Sequence, residues 1–171
     1  MKLNDKCVAP FKSEVIHRPW GHFGLYADNV ISTSKILYIK PQEKLSLQYH
    51  FQRAQFYLLL DDSFIIDYSI KPVPKTIIDN PNEAERIVQL EEFLKDNLVT
   101  VEANEGDEFG FHEFVVHRAT YIGNRSYGRI LDLAFGINDE SDIFRIKDLY
   151  GRENTKWQQK RKKNNLLKLK L

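Results

Sequence analysis

Short runs of aromatic and β-branched residues, separated by turn-forming residues, dominate the middle of the chain and predict β-strands. In the run at 45–50 the alternation is regular, because Ser46, Gln48 and His50 are its polar positions. Successive side chains of a strand point to opposite faces, so these three share one face. Many short strands predict an all-β sandwich or small barrel. The runs lie at residues 23–26, 35–40, 45–50, 55–60, 64–70, 98–102, 108–111, 115–122 and 129–135.

One segment interrupts the strand pattern with helical spacing. Apolar residues recur every three or four positions between residues 84 and 94, after Asp79 or Asn80 as a cap and Pro81 as a first helical residue. We therefore predict a helical insertion at 71–97 that packs over one end of the barrel. A second short helix is predicted over 142–149, near the end of the folded part.

The length and composition predict a single globular domain. The chain has 171 residues, of which 42% are hydrophobic and 29% are charged. No apolar run approaches the ~20 residues of a membrane-spanning helix. The one cysteine, Cys7, excludes an internal disulfide, which favours a reducing, cytoplasmic location. We assign residues 1–155 to the domain and residues 156–171 to a tail.

The net charge of +1 conceals an uneven distribution. The tail at 156–171 has seven Lys or Arg residues and no acid, so the first 155 residues have 18 basic and 24 acidic residues. A mildly acidic domain argues against a nucleic-acid-binding core. The tail is either a solvated terminus or a basic amphipathic segment that binds a partner or an anionic surface.

Polar side chains on three neighbouring predicted strands are candidates for a buried site. Alternate residues of each strand point into a barrel, so side chains from separate strands can converge there. Imidazole nitrogens and amide oxygens can together bind a first-row metal ion. The candidates are Gln48, His50, Gln55 and His117.

These residues belong to two longer patterns that resemble the paired motifs of the cupin family. The patterns are Gln42-x5-Gln48-x-His50-x4-Gln55-x6-Asp62 and Gly106-x5-His112-x-Phe114-x2-His117-x3-Tyr121. More narrowly, R-P-W-G at 18–21, L-S-L-Q-x-H at 45–50 and D-x-Y-G-R at 148–152 resemble the cupin of type II mannose-6-phosphate isomerases. That module also forms the C-terminal part of bifunctional mannose-1-phosphate guanylyltransferases. The resemblance implies a double-stranded β-helix, or jelly-roll barrel.

The resemblance also implies a metal site. It assigns the metal-ligand positions to Gln48, His50, Gln55 and His117 and implies one divalent ion, zinc first, with Co, Mn, Ni or Fe as alternatives. The family has a glutamate at the position of Gln55. Without an anionic ligand the metal affinity should fall. His112 replaces a proline of the second motif, and either it or Glu113 could supply a substitute ligand or base, whereas the alternative is that His112 packs at a strand end.

Moving a carbonyl group between C1 and C2 of a sugar requires a general base and stabilisation of an enediolate. Asp132 is a candidate for the base, or for orienting a ligand histidine, and His112 and Lys35 are the other catalytic candidates. Arg53 and Arg118 are candidates for binding the phosphate, although each could instead form a surface ion pair.

The function implied by the resemblance is metal-dependent interconversion of mannose 6-phosphate and fructose 6-phosphate for sugar-nucleotide and polysaccharide synthesis. Two alternatives stay open: a catalytically decayed cupin that binds a sugar or sugar nucleotide, and an isomerase or epimerase of another phosphorylated sugar. The expected partners are a phosphorylated sugar and a second copy of the chain in a homodimer, without nucleic acid or a membrane span.

Overall fold

The computed structural model describes residues 12–29, 31–136 and 142–152, so Cys7 and the basic tail lie outside the described residues. Among the described residues, no helix is both long and apolar enough to cross a membrane. The strands are β1 (Glu14–Arg18), β2 (Gly21–Asp28), β3 (Ser32–Ile39), β4 (Leu47–His50), β5 (Arg53–Leu59), β6 (Phe64–Ser69), β7 (Leu98–Ala103), β8 (Glu108–Phe111), β9 (His117–Tyr121), β10 (Gly128–Gly136) and β11 (Ile143–Lys147). The helices are α1 (Lys75–Ile78) and α2 (Glu83–Asn97).

The strands form two antiparallel sheets that pack face to face. One sheet has the order β1-β2-β3-β10-β5-β8 and the other has the order β11-β4-β9-β6-β7. The main core lies between them, where Leu37 and Ile130 of the first sheet meet Phe64, Ile66 and Ala119 of the second. Burial of these aliphatic and aromatic faces is the main stabilising force for such a sandwich. The predicted all-β class is confirmed.

A second core covers the outer face of the five-stranded sheet. Its strand residues include Leu47, Tyr49 and Phe144, and its helical residues include Leu90 and Leu94. The prediction that the insertion packs over one end of the barrel is therefore wrong. The insertion joins β6 to β7, which are paired neighbours in this sheet, so its helices lie against that sheet.

The helix start also differs from the prediction. The side chain of Asn82, rather than Asp79 or Asn80, caps α2 by accepting a hydrogen bond from the backbone N–H of Glu85. Asn80 instead accepts from the backbone N–H of Asn82 and so forms the turn before the helix. Several Asx residues compete for one cap here, and the turn geometry selects the last of them.

The predicted short helix over 142–149 is wrong, because Ile143–Lys147 form strand β11. This strand pairs antiparallel with β4 and places Ile143 opposite His50 and Arg145 opposite Gln48. Phe144 packs in the second core, whereas Ile143 and Arg145 face the space between the sheets. The alternation has a period of two, and pairing with β4 makes the segment a strand rather than a helix.

We predict that Leu90→Ala lowers the free energy of unfolding by about 2–5 kcal/mol, because it leaves a cavity under α2. Leu90 is 2% exposed in the second core. Ile87→Ala is the matched control, since Ile87 lies on the same helix and is 47% exposed. Its effect should stay below about 1 kcal/mol. Urea denaturation of both variants measures the difference, and equal losses would contradict this packing of α2.

Candidate functional site

A pocket of about 100 Å³ opens between the two sheets. Strands β3, β5 and β10 of one sheet and β4 and β11 of the other contribute to its lining. The polar and charged residues in the lining are Arg18, Lys35, Ser46, Gln48, Arg53, Gln55, Asp132, Arg145 and Arg152. Five of these are basic and one is acidic, so the pocket has a strong excess of positive charge. Such a pocket attracts anions.

The amide of Gln55 lies between two histidines behind this pocket. Its Oε1 is 2.7 Å from Nε2 of His50 and 2.9 Å from Nε2 of His117. Gln55 is 5% exposed, and each histidine is 1% exposed. The contacts connect the two sheets, because Gln55 lies on β5 and the histidines lie on β4 and β9. The structure thus brings together three of the four predicted metal ligands.

The fourth predicted ligand, Gln48, lines the same pocket but has a different partner. Its Oε1 accepts a hydrogen bond of 2.6 Å from the hydroxyl of Ser46. Gln48 and Ser46 share the inward face of their segment with His50, as the alternation predicted. Gln48 also lies opposite His117 in the β4–β9 pairing, which places it beside the histidine pair.

Asp132 fixes the orientation of the Gln55 amide. Nε2 of Gln55 donates a hydrogen bond of 2.7 Å to Oδ1 of Asp132, so the amide oxygen points at the histidines. The contact runs between paired strands, since Ala134 of β10 lies opposite Gln55 of β5 and Asp132 lies opposite Tyr57. A buried amide is stable only when its polar atoms are hydrogen-bonded, and here both Nε2 and Oε1 of Gln55 have partners.

Arg53 contacts the other ring nitrogen of His50. Its Nε–H donates a hydrogen bond of 3.2 Å to Nδ1, and the side chain is 5% exposed. A neutral imidazole has one hydrogen, so accepting at Nδ1 places that hydrogen on Nε2. His50 therefore donates from Nε2 to the oxygen of Gln55.

His117 lies between two oxygen atoms. Its Nδ1 is 3.0 Å from the backbone carbonyl of Val115, and its Nε2 is 2.9 Å from Oε1 of Gln55. A neutral ring can donate to one of them only. The ring also stacks on Phe111, with 4.4 Å between the ring centroids, which fixes its plane.

Burial determines the protonation states of the cluster formed by His50, Gln55, His117 and Asp132. It lowers the pKa of His50 well below its usual value, and it lowers the pKa of His117 to about 4. It raises the pKa of Asp132, against the opposing charge of Lys35 and the hydrogen bond from Gln55. It also raises the pKa of the Tyr57 hydroxyl, next to Asp132. The histidines are therefore neutral at neutral pH.

As arranged, these side chains do not fit a divalent metal ion. His50 presents Nε2–H, a donor, where a metal requires a lone pair. The charged Arg53 lies beside that ring, and Gln55 offers no negative charge. In the described part of the chain there is also no group of three or more His, Cys, Asp or Glu residues that could hold a metal ion.

Two other predicted site residues lie away from the pocket. His112 is exposed in the turn before β9 and does not line the pocket, and the neighbouring Glu113 is exposed as well. Arg118 forms an ion pair with Asp67, with 2.6 Å between Nη2 and Oδ2. It follows His117 on β9, so its side chain points to the opposite face of the sheet. Arg118 thus forms an ion pair, as the alternative left open for it expected, but the pair is partly buried because Asp67 is 5% exposed.

Sequence reasoning missed three arginines of the pocket: Arg18, Arg145 and Arg152. Arg145 alternates with Phe144 and Ile146 along β11, so recognition of the strand would have placed it on the face opposite to theirs. Arg18 and Lys35 both lie over the ring of Phe23, at 5.3 Å and 5.2 Å from its centroid. These cation–π contacts hold two cations on one side of the pocket.

Comparison with protein families supports the resemblance found in the sequence. The family model described as mannose-6-phosphate isomerase C-terminal matches residues 5–76, which is less than half of the chain. The match includes the consecutive strands β4 and β5, with His50, Arg53 and Gln55. A comparison with curated proteins finds no match.

Solved structures confirm the cupin jelly-roll fold. The capsular polysaccharide assembling protein CapF from Staphylococcus aureus has a TM-score of 0.56 at 10% identity. The superposition covers 81% of this chain but only 35% of the CapF chain. KdgF from a Halomonas species has a TM-score of 0.51 at 9% identity, with 74% of this chain and 91% of that chain covered. Streptomyces PAC13 with uridine has a TM-score of 0.52 at 9% identity, with 80% of this chain and 86% of that chain covered.

We predict that acidification destabilises the fold between pH 6.5 and about 4 through His117. Its pKa is lower in the folded state than its usual 6.5, so the neutral ring stabilises the fold above pH 6.5 and that contribution is lost as the pH falls. The loss amounts to about 3 kcal/mol from this group. Urea denaturation at several pH values measures it. His117→Gln should flatten the dependence, whereas the control His112→Gln, at an exposed position, should not.

We also predict that Gln55→Glu destabilises the protein by about 2 kcal/mol or more at neutral pH, because it places a second carboxylate against Asp132. The two side chains are 2.7 Å apart. Asp132→Asn should rescue the variant, since an asparagine amide can donate to the new carboxylate. Gln48→Glu is the control, because the hydroxyl of Ser46 can donate to it. Unfolding measurements on the four proteins of the double-mutant cycle test the coupling, and additive effects would contradict it.

Proposed function

We propose that this cupin binds a phosphorylated sugar in the basic pocket and interconverts the aldose and ketose forms of that sugar. Mannose 6-phosphate and fructose 6-phosphate are the first pair to test, because the matching family model is that of a mannose-6-phosphate isomerase. The main support is the charge of the pocket, where four arginines and one lysine surround a single carboxylate. A ligand with a phosphate group and several hydroxyl groups suits such a lining.

We assign the phosphate to two arginines of the pocket, Arg18 of β1 and Arg145 of β11. Arg145 is 8% exposed, and Arg18 is half-buried on the side of Phe23. Guanidinium groups bind phosphate through paired hydrogen bonds, and a largely buried one does so with little competition from water. Arg152 also lines the pocket but has an ion pair of 2.5 Å with Asp148, so a phosphate would share it with that carboxylate.

Asp132 is assigned as the base that moves the proton between carbons. Its raised pKa brings the carboxylate closer to the basicity that proton abstraction beside a carbonyl needs. The carboxylate takes the proton from C2 of the aldose and returns it to C1, while the hydroxyl proton at O2 passes to O1. Lys35 lies directly opposite Asp132 in the β3–β10 pairing, and Arg53 lines the same pocket. Their charges would stabilise the enediolate that forms between the two transfers.

Binding without turnover is the second candidate, and the Gln55 amide favours it. Nε2 of Gln55 donates to Oδ1 of Asp132, so the carboxylate is already held by a hydrogen bond from its own protein. A bond of this kind weakens a base because it stabilises the charged form. In that case the same pocket would bind a sugar phosphate or a sugar nucleotide as an accessory module.

Binding is measured by calorimetry with mannose 6-phosphate, and with mannose as the comparison that lacks the phosphate. We expect the phosphate to improve affinity by at least about tenfold, and Arg145→Met to remove most of that gain. Arg118→Met is the matched control, because Arg118 is paired with Asp67 outside the pocket. Equal affinity for the two sugars would contradict the binding of a sugar phosphate in this pocket, and with it the proposed isomerisation.

Turnover is measured by nuclear magnetic resonance in deuterated water, where isomerisation introduces deuterium at C1 or C2. Asp132→Asn should lower the rate by about 10²–10⁴-fold. It should leave binding of mannose 6-phosphate within about threefold, because Asp132 is not assigned to the phosphate. Binding by the wild type without conversion or exchange would select the accessory module, and an unchanged rate in the variant would exclude Asp132 as the base.

A further inference from the structure

Arg53 makes a hydrogen bond to His50 that neither phosphate binding nor stabilisation of the enediolate explains. It is the first residue of β5, is 5% exposed, and donates from Nε to Nδ1 of His50 at 3.2 Å. Its side chain also lines the pocket. Arg53 therefore contacts His50 and also lines the pocket.

We propose that Arg53 supplies the resident positive charge of this cluster in place of a divalent metal ion, and that its hydrogen bond to His50 keeps metal ions out. The bond places the hydrogen of neutral His50 on Nε2, facing the oxygen of Gln55 at 2.7 Å. A metal bound between the histidines and Gln55 would need a lone pair at that nitrogen. The tautomer that Arg53 selects does not have one.

The opposite tautomer is costly while Arg53 is present. A hydrogen on Nδ1 of His50 would face the N–H of Arg53, so that two donors would oppose each other in a buried place. A divalent ion would also be repelled by the guanidinium charge, which little water screens here. After burial, the charge of Arg53 is the next largest cause that lowers the pKa of His50, so its field acts on that ring.

Removal of Arg53 would leave an acceptor for the metal-binding tautomer. Oδ2 of Asp142 lies 3.9 Å from Nδ1 of His50, and both side chains are almost fully buried. A small shift would let Nδ1–H donate to this carboxylate, which is the usual way in which a ligand histidine is oriented. Nε2 of His50, Nε2 of His117 and the oxygen of Gln55 would then be available as three ligand atoms for one metal ion.

The first test measures binding of Co²⁺ and Zn²⁺ alone, by visible absorption and by calorimetry, to the full chain after removal of metal with chelator. We expect Arg53→Met to bind either ion at least about tenfold more tightly than the wild type. Arg18→Met is the matched control for metal binding, because it removes an arginine of the same pocket that does not contact His50. Its affinity for Co²⁺ and Zn²⁺ should equal that of the wild type. The gain should be lost in the double variant Arg53→Met with His50→Ala.

Tight binding by the wild type, or no gain in a folded Arg53→Met, would overturn the proposal. A second measurement needs no variant: the ¹⁵N resonances of His50 in the wild type report which ring nitrogen has the hydrogen. We expect hydrogen on Nε2, both before and after addition of Zn²⁺, whereas hydrogen on Nδ1 would overturn the proposal. Both tests use metal ions without sugar, so their result is independent of the proposed sugar phosphate chemistry.

Discussion

The hydrogen bonds of one buried amide, Gln55, hold the centre of this protein together. Its oxygen lies between His50 and His117 of one sheet, and its nitrogen donates to Asp132 of its own sheet. Polar groups inside an apolar sandwich are stable only when they are paired. These contacts therefore constrain the distance between the two sheets and their relative position. The pocket and its charges depend on that constraint, because Lys35, Arg53 and Arg145 reach the pocket from the strands held by it.

Much of this centre could be predicted from the alternation of inward-facing and outward-facing residues along individual strands. The polar positions of 45–50 share one face as predicted, and Arg53 and Gln55 share a face on β5 because they are two residues apart. The same rule, applied to His117, would have directed Arg118 outward, where it pairs with Asp67. His112 lies in a turn, to which the alternation of the strands does not extend. Local sequence therefore predicts which face a side chain occupies more reliably than it predicts its role.

The contacts that define the chemistry could not be predicted in this way. The bond between Gln55 and Asp132 joins residues 77 positions apart, and it depends on the register of β5 with β10. The bond from Arg53 to His50 depends on how the chain turns between β4 and β5. Strand β11 was predicted as a helix because five residues hold too little periodic pattern, and only pairing with the distant β4 decides its state. Register between strands distant in the sequence is a tertiary property.

Phe114 and Gln55 differ from the residues of the cupin motif, and each is accommodated by contacts with neighbouring side chains. Phe114 stands where the motif has a glycine, and its φ of 66° is the left-handed conformation that glycine adopts easily. Such strain costs about 1–3 kcal/mol, and the ring offsets part of it by packing against Tyr49 and Phe51 beneath the helices. Gln55 replaces a glutamate and is held by Asp132. At both positions the side-chain chemistry departs from the motif that the sequence resembles, and the contacts of this chain accommodate the change.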